Sequence, residues 1–122
     1  MSDLRSAGLR AMREALPGRF PDGDLDLRDG GLADELVEIG LTSVWGALWA
    51  RAGLSPRDRS LVTLGILIAL RAETELKAHV RIALTNGLTE DEIAEVIYHA
   101  TGYTGFPAAV AARTAAREAL AD

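Results

Sequence analysis

The second half of this chain is punctuated for helices. Ser55-Pro56 pairs a capping hydroxyl with a proline in the first turn, and Gly87 marks a stop. Thr89-Glu-Asp-Glu92 has the spacing of a capping box, and Gly105 with Pro107 marks another break. No stretch of any length alternates apolar and polar residues with the period of two that a half-buried strand needs. The spacing predicts helices over about 3–15, 32–51, 55–70, 73–86, 89–103 and from Pro107 to the C-terminus. The fold class is therefore all-α, a single-domain bundle of about six helices. The segment from Pro17 to Gly31, with its prolines, glycines and charges, reads as a loop.

Two helices in this pattern are unusual. Residues 61–70 are apolar nearly all round, which predicts that the third helix is the central, most buried one. That run is about half of the ~20 residues needed to cross a bilayer. The last helix holds eight alanines within residues 108–121, with only Val110 and Leu120 as larger apolar groups. Small side chains let helices approach closely, inside a bundle or against another subunit. Together the two helices predict a homo-oligomer.

Composition removes whole classes of function. Hydrophobic residues make up 48% and charged residues 25%, a balance that builds a core and excludes a disordered chain. The net charge of −5 leaves no basic stripe to neutralise phosphates, so no nucleic-acid partner is expected. The absence of cysteine removes disulfides, thiolate metal sites, redox dithiols and cysteine nucleophiles together. Met1-Ser-Asp-Leu-Arg-Ser lacks the apolar run of a signal peptide, and the expectation is a soluble, cytoplasmic protein with no membrane partner.

Chemistry concentrates on Glu75 and His79. Four residues apart on one helix, a carboxylate and an imidazole share a face, close enough to exchange a proton or bracket one substrate. The pair lies at the edge of the apolar face formed by Leu76, Val80 and Leu84, a plausible pocket wall. A carboxylate favours the charged imidazolium and burial opposes it; sequence leaves the balance open. The other histidine, His99, accompanies Glu92, Glu95 and Tyr103 on the fifth helix, in what reads as a solvated polar stripe. Arginine outnumbers lysine twelve to one, and Arg51, Arg59, Arg71 and Arg81 flank apolar helices where a guanidinium can clamp a carboxylate bidentately. Trp45 and Trp49, one turn apart, read as core or interface anchors. No His-x-x-His or His-Glu-x-x-His pattern exists, so no metal is expected. No serine sits in a Gly-x-Ser-x-Gly elbow, and Gly30-Gly31 has neither a strand nor a lysine to make a phosphate loop.

Several blocks carry a resemblance. They are Trp45-Gly-Ala-Leu-Trp49-Ala-Arg51-Ala-Gly53-Leu, Arg59-Ser60-Leu, Glu75-Leu-Lys-Ala-His79-Val-Arg81, Asn86-Gly-Leu-Thr89-Glu-Asp-Glu92-Ile and Tyr103-Thr-Gly105-Phe-Pro107-Ala-Ala. In this order the chain resembles the carboxymuconolactone decarboxylase family. The resemblance divides the sequence into residues 1–31, an N-terminal helix and loop, and residues 32–122, the family-like helical part of one compact domain. It implies an AhpD-like all-α fold and an obligate homo-oligomer, a trimer or hexamer. One branch of the family uses a Cys-x-x-Cys-x-x-x-His dithiol. With His79 as the histidine, its cysteine positions fall on Ala72 and Glu75, so peroxide reduction is excluded. The other branch decarboxylates 4-carboxymuconolactone without a cofactor.

On this resemblance His79 is expected to be the proton donor and Glu75 the group that orients it or sets its charge. Arg51, Arg59 or Arg81 would bind substrate carboxylates, and Tyr103 or a backbone N–H near Gly105 would serve the oxyanion. Trp45, Thr104 and His99 complete the expected substrate-binding set. Two departures stand out, Thr104 where the decarboxylases usually have cysteine and Ala52 where they usually have proline. They leave open an enzyme of the same fold acting on another lactone or β-keto acid in a biosynthetic pathway. A non-catalytic member that binds a ligand or acts as a scaffold is the remaining alternative.

Overall fold

A computed structural model describes residues 3–121. The reading of the N-terminus, so far as it concerns Met1 and Ser2, lies outside them. The described residues form helices and connecting turns, with no strand. The chain packs as two compact units, Met1–Gly53 and Leu54–Asp122. The sequence division at 31/32 differs from this packing boundary because the second helix packs with the first.

In the first unit, α1 (Asp3–Ala15) buries Gly8, Leu9, Met12 and Ala15 on one face and ends before Pro17, as the spacing predicts. The second helix starts later than expected. Residues 32–35 form turns, Leu32 is fully exposed, and α2 runs as an α-helix over Leu36–Gly40. Asp29 and Asp34 accept the backbone N–H groups of Gly31 and Gly30, so these carboxylates stabilise the turn and leave the helix start uncapped. From Leu41 to Trp49 the helix widens to a π-helix, with the Ala50 N–H donating to the Trp45 carbonyl at 3.0 Å. Gly8 and Gly46 meet where α1 crosses this stretch, and a β-carbon on either would collide with backbone of the other helix. Leu9, Met12 and Leu41 form the small core, with Leu16, Phe20, Leu25, Leu27 and Trp45 packed against it.

Arginines hold the loop between α1 and α2. Arg5 bonds Glu38 at 2.9 Å and Asp24 at 2.6 Å, and also reaches the Leu25 carbonyl. The Arg5 guanidinium, helped by the Leu27 N–H, keeps the Glu38 carboxyl below its ordinary range. Arg13 donates to the carbonyls of Pro21 and Gly23. The twenty residues between α1 and α2, which form no helix, thus gain anchors that a short apolar core cannot supply.

The second unit holds four helices: α3 (Pro56–Leu70), α4 (Glu73–Thr85), α5 (Glu90–Thr104) and α6 (Phe106–Ala121). The starts of α3 and α5 follow the predicted chemistry. The Ser55 hydroxyl accepts the Asp58 N–H, and Thr89 with Glu92 forms a reciprocal capping box. At Gly87 the backbone takes φ +103°, and the Leu88 N–H returns to the Ala83 carbonyl to close α4.

The core gathers Leu64, Ile68, Leu76, Val80, Ala83, Leu88 and Ile93 around the alanines of α6. Six of those alanines are buried, so close approach is the means by which α6 packs. The expectation for α3 needs correction. Only Ser60, Leu64 and Ile68 are buried along it, while Val62, Ile66 and Leu70 stay more than half exposed. In this unit α3 lies on an outside layer, and its second apolar stripe faces away from the core.

Candidate functional site

Glu75 and His79 share one face of α4, one turn apart. Glu75 is exposed in the first helical turn, where a carboxylate also complements the helix dipole. His79 is half-buried beside the buried Leu76, Val80 and Ala83. Burial lowers the His79 pKa below its ordinary 6.5, and the Glu75 charge opposes that shift with a smaller effect. The balance left open by the sequence therefore falls on the neutral imidazole. A group of this kind is a stronger acid once it takes up a proton.

The three candidate arginines occupy different places. Arg81 is two positions beyond His79, about 200° round the helix, and does not share its face. Arg59 lies in the first turn of α3, which packs antiparallel to α4 through the Asn86 amide donating to the Ser60 hydroxyl at 3.0 Å. Counting back from Asn86, His79 lies about 10 Å along the helix axis from that end. Arg51 and Trp45 belong to the first unit. Arg51 is exposed just past the π-helix, and Trp45 is half-buried with its ring 5.3 Å from that of Trp49, tilted by 30°.

His99, Tyr103 and Thr104 come together elsewhere. They line an open groove of about 740 Å³ between α3 and α5, with Leu61, Gly65, Glu92, Glu95, Val96 and Ala100. The rings of His99 and Tyr103 are 5.2 Å apart. Leu61 and Gly65 each follow a residue of the buried α3 stripe, whereas Arg59 precedes one, so groove and arginine occupy opposite flanks of α3. Glu92 is committed at one end: it accepts the Thr89 N–H and pairs with Arg57, and these contacts keep its carboxyl below the ordinary range. The Thr104 hydroxyl donates to the Ala100 carbonyl at 2.9 Å. Gly105 ends α5 at φ +92°, and its N–H donates to the Thr101 carbonyl at 3.3 Å, which commits it within the helix. Leu61, Gly65 and Val96 were not expected in a site. A glycine in the middle of an apolar helix is the sequence signal for that groove.

Among the described residues no group of three His, Cys, Asp or Glu side chains converges as a metal site, and no helix is long and apolar enough to cross a membrane.

Comparison with known proteins gives these helices a family. Residues 34–118 match the carboxymuconolactone decarboxylase family, and the chain belongs to it. One relative, the 4-carboxymuconolactone decarboxylase of Acinetobacter baylyi, is 46% identical over 78 residues. That stretch is 64% of this chain and 58% of the relative, so the chain spans little more than half of that protein. The nitrosuccinic acid decarboxylase npaB of Metarhizium robertsii is 34% identical over 127 aligned positions, covering 92% of this chain and 89% of the relative. Both relatives carry the name of a decarboxylase.

Proposed function

We propose that this protein is a cofactor-independent decarboxylase of 4-carboxymuconolactone or a similar carboxylated lactone. The observation that carries the reading is the Glu75/His79 couple on α4, with its neutral, half-buried imidazole, in a chain of this family that has no thiol. Such a substrate holds its own electron sink. The bond to the carboxylate breaks, its electron pair passes into the conjugated lactone as a dienolate, and carbon dioxide leaves. A proton must then reach carbon.

His79 takes a proton from solvent and delivers it to that carbon, with Glu75 on the exposed turn before it as the group that draws the proton in and orients the ring. The lowered pKa makes the transient imidazolium a competent acid toward a carbon base. Arg59 holds the carboxylate that stays, across a span suited to an arginine arm and a small dicarboxylate. The apolar residues beside His79 favour loss of charge as carbon dioxide forms. In this reading His99, Tyr103 and Thr104 do not hold the substrate, because the carboxylates of their groove oppose an anion.

The match to npaB over nearly the whole chain favours a second substrate, a nitro-substituted dicarboxylic acid. There the nitro group accepts the electron pair as a nitronate, and His79 keeps the same task.

The exposed apolar stripe on α3, with Tyr98 and Phe106 also more than half exposed, supports a homo-oligomer. Incubating the purified protein with carboxymuconolactone and, separately, with nitrosuccinate while following carbon dioxide release tests the reading. Release from neither acid by folded protein sinks it.

A further inference from the structure

The groove between α3 and α5 has a one-sided polar wall. Its floor is Leu61, Val96 and Ala100, and its volume of about 740 Å³ falls in the range of small-molecule sites. Glu92 is already engaged by Arg57 and the capping box. Glu95 is an acceptor only, and Thr104 has its proton on the Ala100 carbonyl and offers lone pairs. Neither arginine nor lysine lines the groove. This wall repels a carboxylate and matches a donor that bears positive charge.

Shape adds to charge. Glu95, His99 and Tyr103 follow one another at four-residue steps, a stripe about 12 Å long with a carboxylate at one end and two neighbouring rings, tilted by 38°, at the other. A carboxylate beside an aromatic face is the pairing that recognises an ammonium group attached to an apolar body. Opposite stands Gly65, in the interior of α3, where glycine is a poor helix former. A β-carbon built there meets nothing within 4 Å, so no packing contact requires the glycine, and its small size leaves the groove open.

We propose that the α3/α5 groove binds a small organic ammonium ion, with its charged end at Glu95 and an aromatic or apolar body against His99 and Tyr103. The site is separate from the Glu75/His79 couple and goes beyond decarboxylation; it lies on the other flank of α3 from Arg59.

The test titrates the full chain with 2-phenylethylamine and with 3-phenylpropionate, a body of similar size and opposite charge, followed by amide resonances. The amine is expected to saturate in the millimolar range or below and to shift residues 92–104, with the carboxylate at least about ten-fold weaker. Gly65→Leu fills the groove and Glu95→Gln removes the charge. Each weakens the amine by about ten-fold or more: Glu95→Gln through the loss expected for a hydrogen bond to a charged group, Gly65→Leu by occupying the space of the ligand body. Gly65→Leu leaves any turnover by the wild-type chain unchanged. Equal binding of the two probes overturns the proposal, as does undiminished amine binding in Glu95→Gln or loss of turnover in folded Gly65→Leu. Failure of the amine to saturate, for instance because a second copy covers the groove, overturns it as well. If the chain shows no decarboxylation, the binding arms decide this proposal alone.

Discussion

Gly46 in the π-helical stretch of α2 lies directly against the Leu4 carbonyl of α1, so close that a β-carbon at position 46 would overlap that oxygen. Gly8 repeats the relation from the other side, where a β-carbon would overlap the Leu41 carbonyl and lie 3.1 Å from the Gly46 nitrogen. Gly46→Ala and Gly8→Ala must therefore push the two helices apart. Each is expected to cost about 1–3 kcal/mol, the usual range for overpacking. Gly40→Ala is the control, since its added carbon meets nothing within 4 Å, and it should be neutral or stabilising. Urea unfolding midpoints separate the three; an unshifted Gly46→Ala midpoint would show that the crossing is loose.

Replacing His79 tests the chemistry. His79→Ala should lower kcat by about 10²–10⁴, the usual contribution of a general acid. Glu75→Gln should lower kcat by less and leave KM nearly unchanged, because an orienting group acts through the imidazole. Steady-state kinetics on whichever acid turns over supplies both numbers. A loss below about ten-fold in His79→Ala assigns the proton to another group.

Burial of His79 also makes stability depend on pH. Its folded pKa is below 6.5, so the unfolded chain binds a proton more readily than the folded one. The stability it contributes is complete above about pH 6.5 and is lost as pH falls through the lower folded value. Thermal melts from pH 8 to 5 should show this decline, reduced in His79→Gln. Activity runs the opposite way, since the protonated donor becomes more populated as pH falls. A kcat that decreases on acidification over this window, in folded protein, would contradict the donor role.

The α3 stripe of Val62, Ile66 and Leu70 provides a test of assembly. Ile66 is 52% exposed on the outward stripe of α3, and a charge there costs little in a monomer. Ile66→Glu should reduce the mass measured by light scattering if the stripe is the oligomer contact, with helical circular dichroism retained. An unchanged mass places the contact on another face.

The sequence by itself determined where helices begin and end from Ser55 onward, because caps, glycines and prolines act over a single turn. It also placed Glu75 and His79 on one face, since spacing within a helix needs no partner. It excluded thiol chemistry, because composition suffices for that. Its reading of α3 as the most buried helix failed: an apolar surface says nothing about which neighbours cover it. The late start and π-helical widening of α2 were equally hidden, as they depend on the turn at Asp29–Asp34 and on the glycine crossing with α1.

Tertiary structure decided the protonation balance of His79, because desolvation depends on what packs around the ring. It also decided that His99, Tyr103 and Thr104 line a groove opposite Leu61 and Gly65, on the far flank of α3 from Arg59. A one-helix pattern reaches only its own face. Which second helix completes that face is settled by packing, through contacts between residues far apart in the chain.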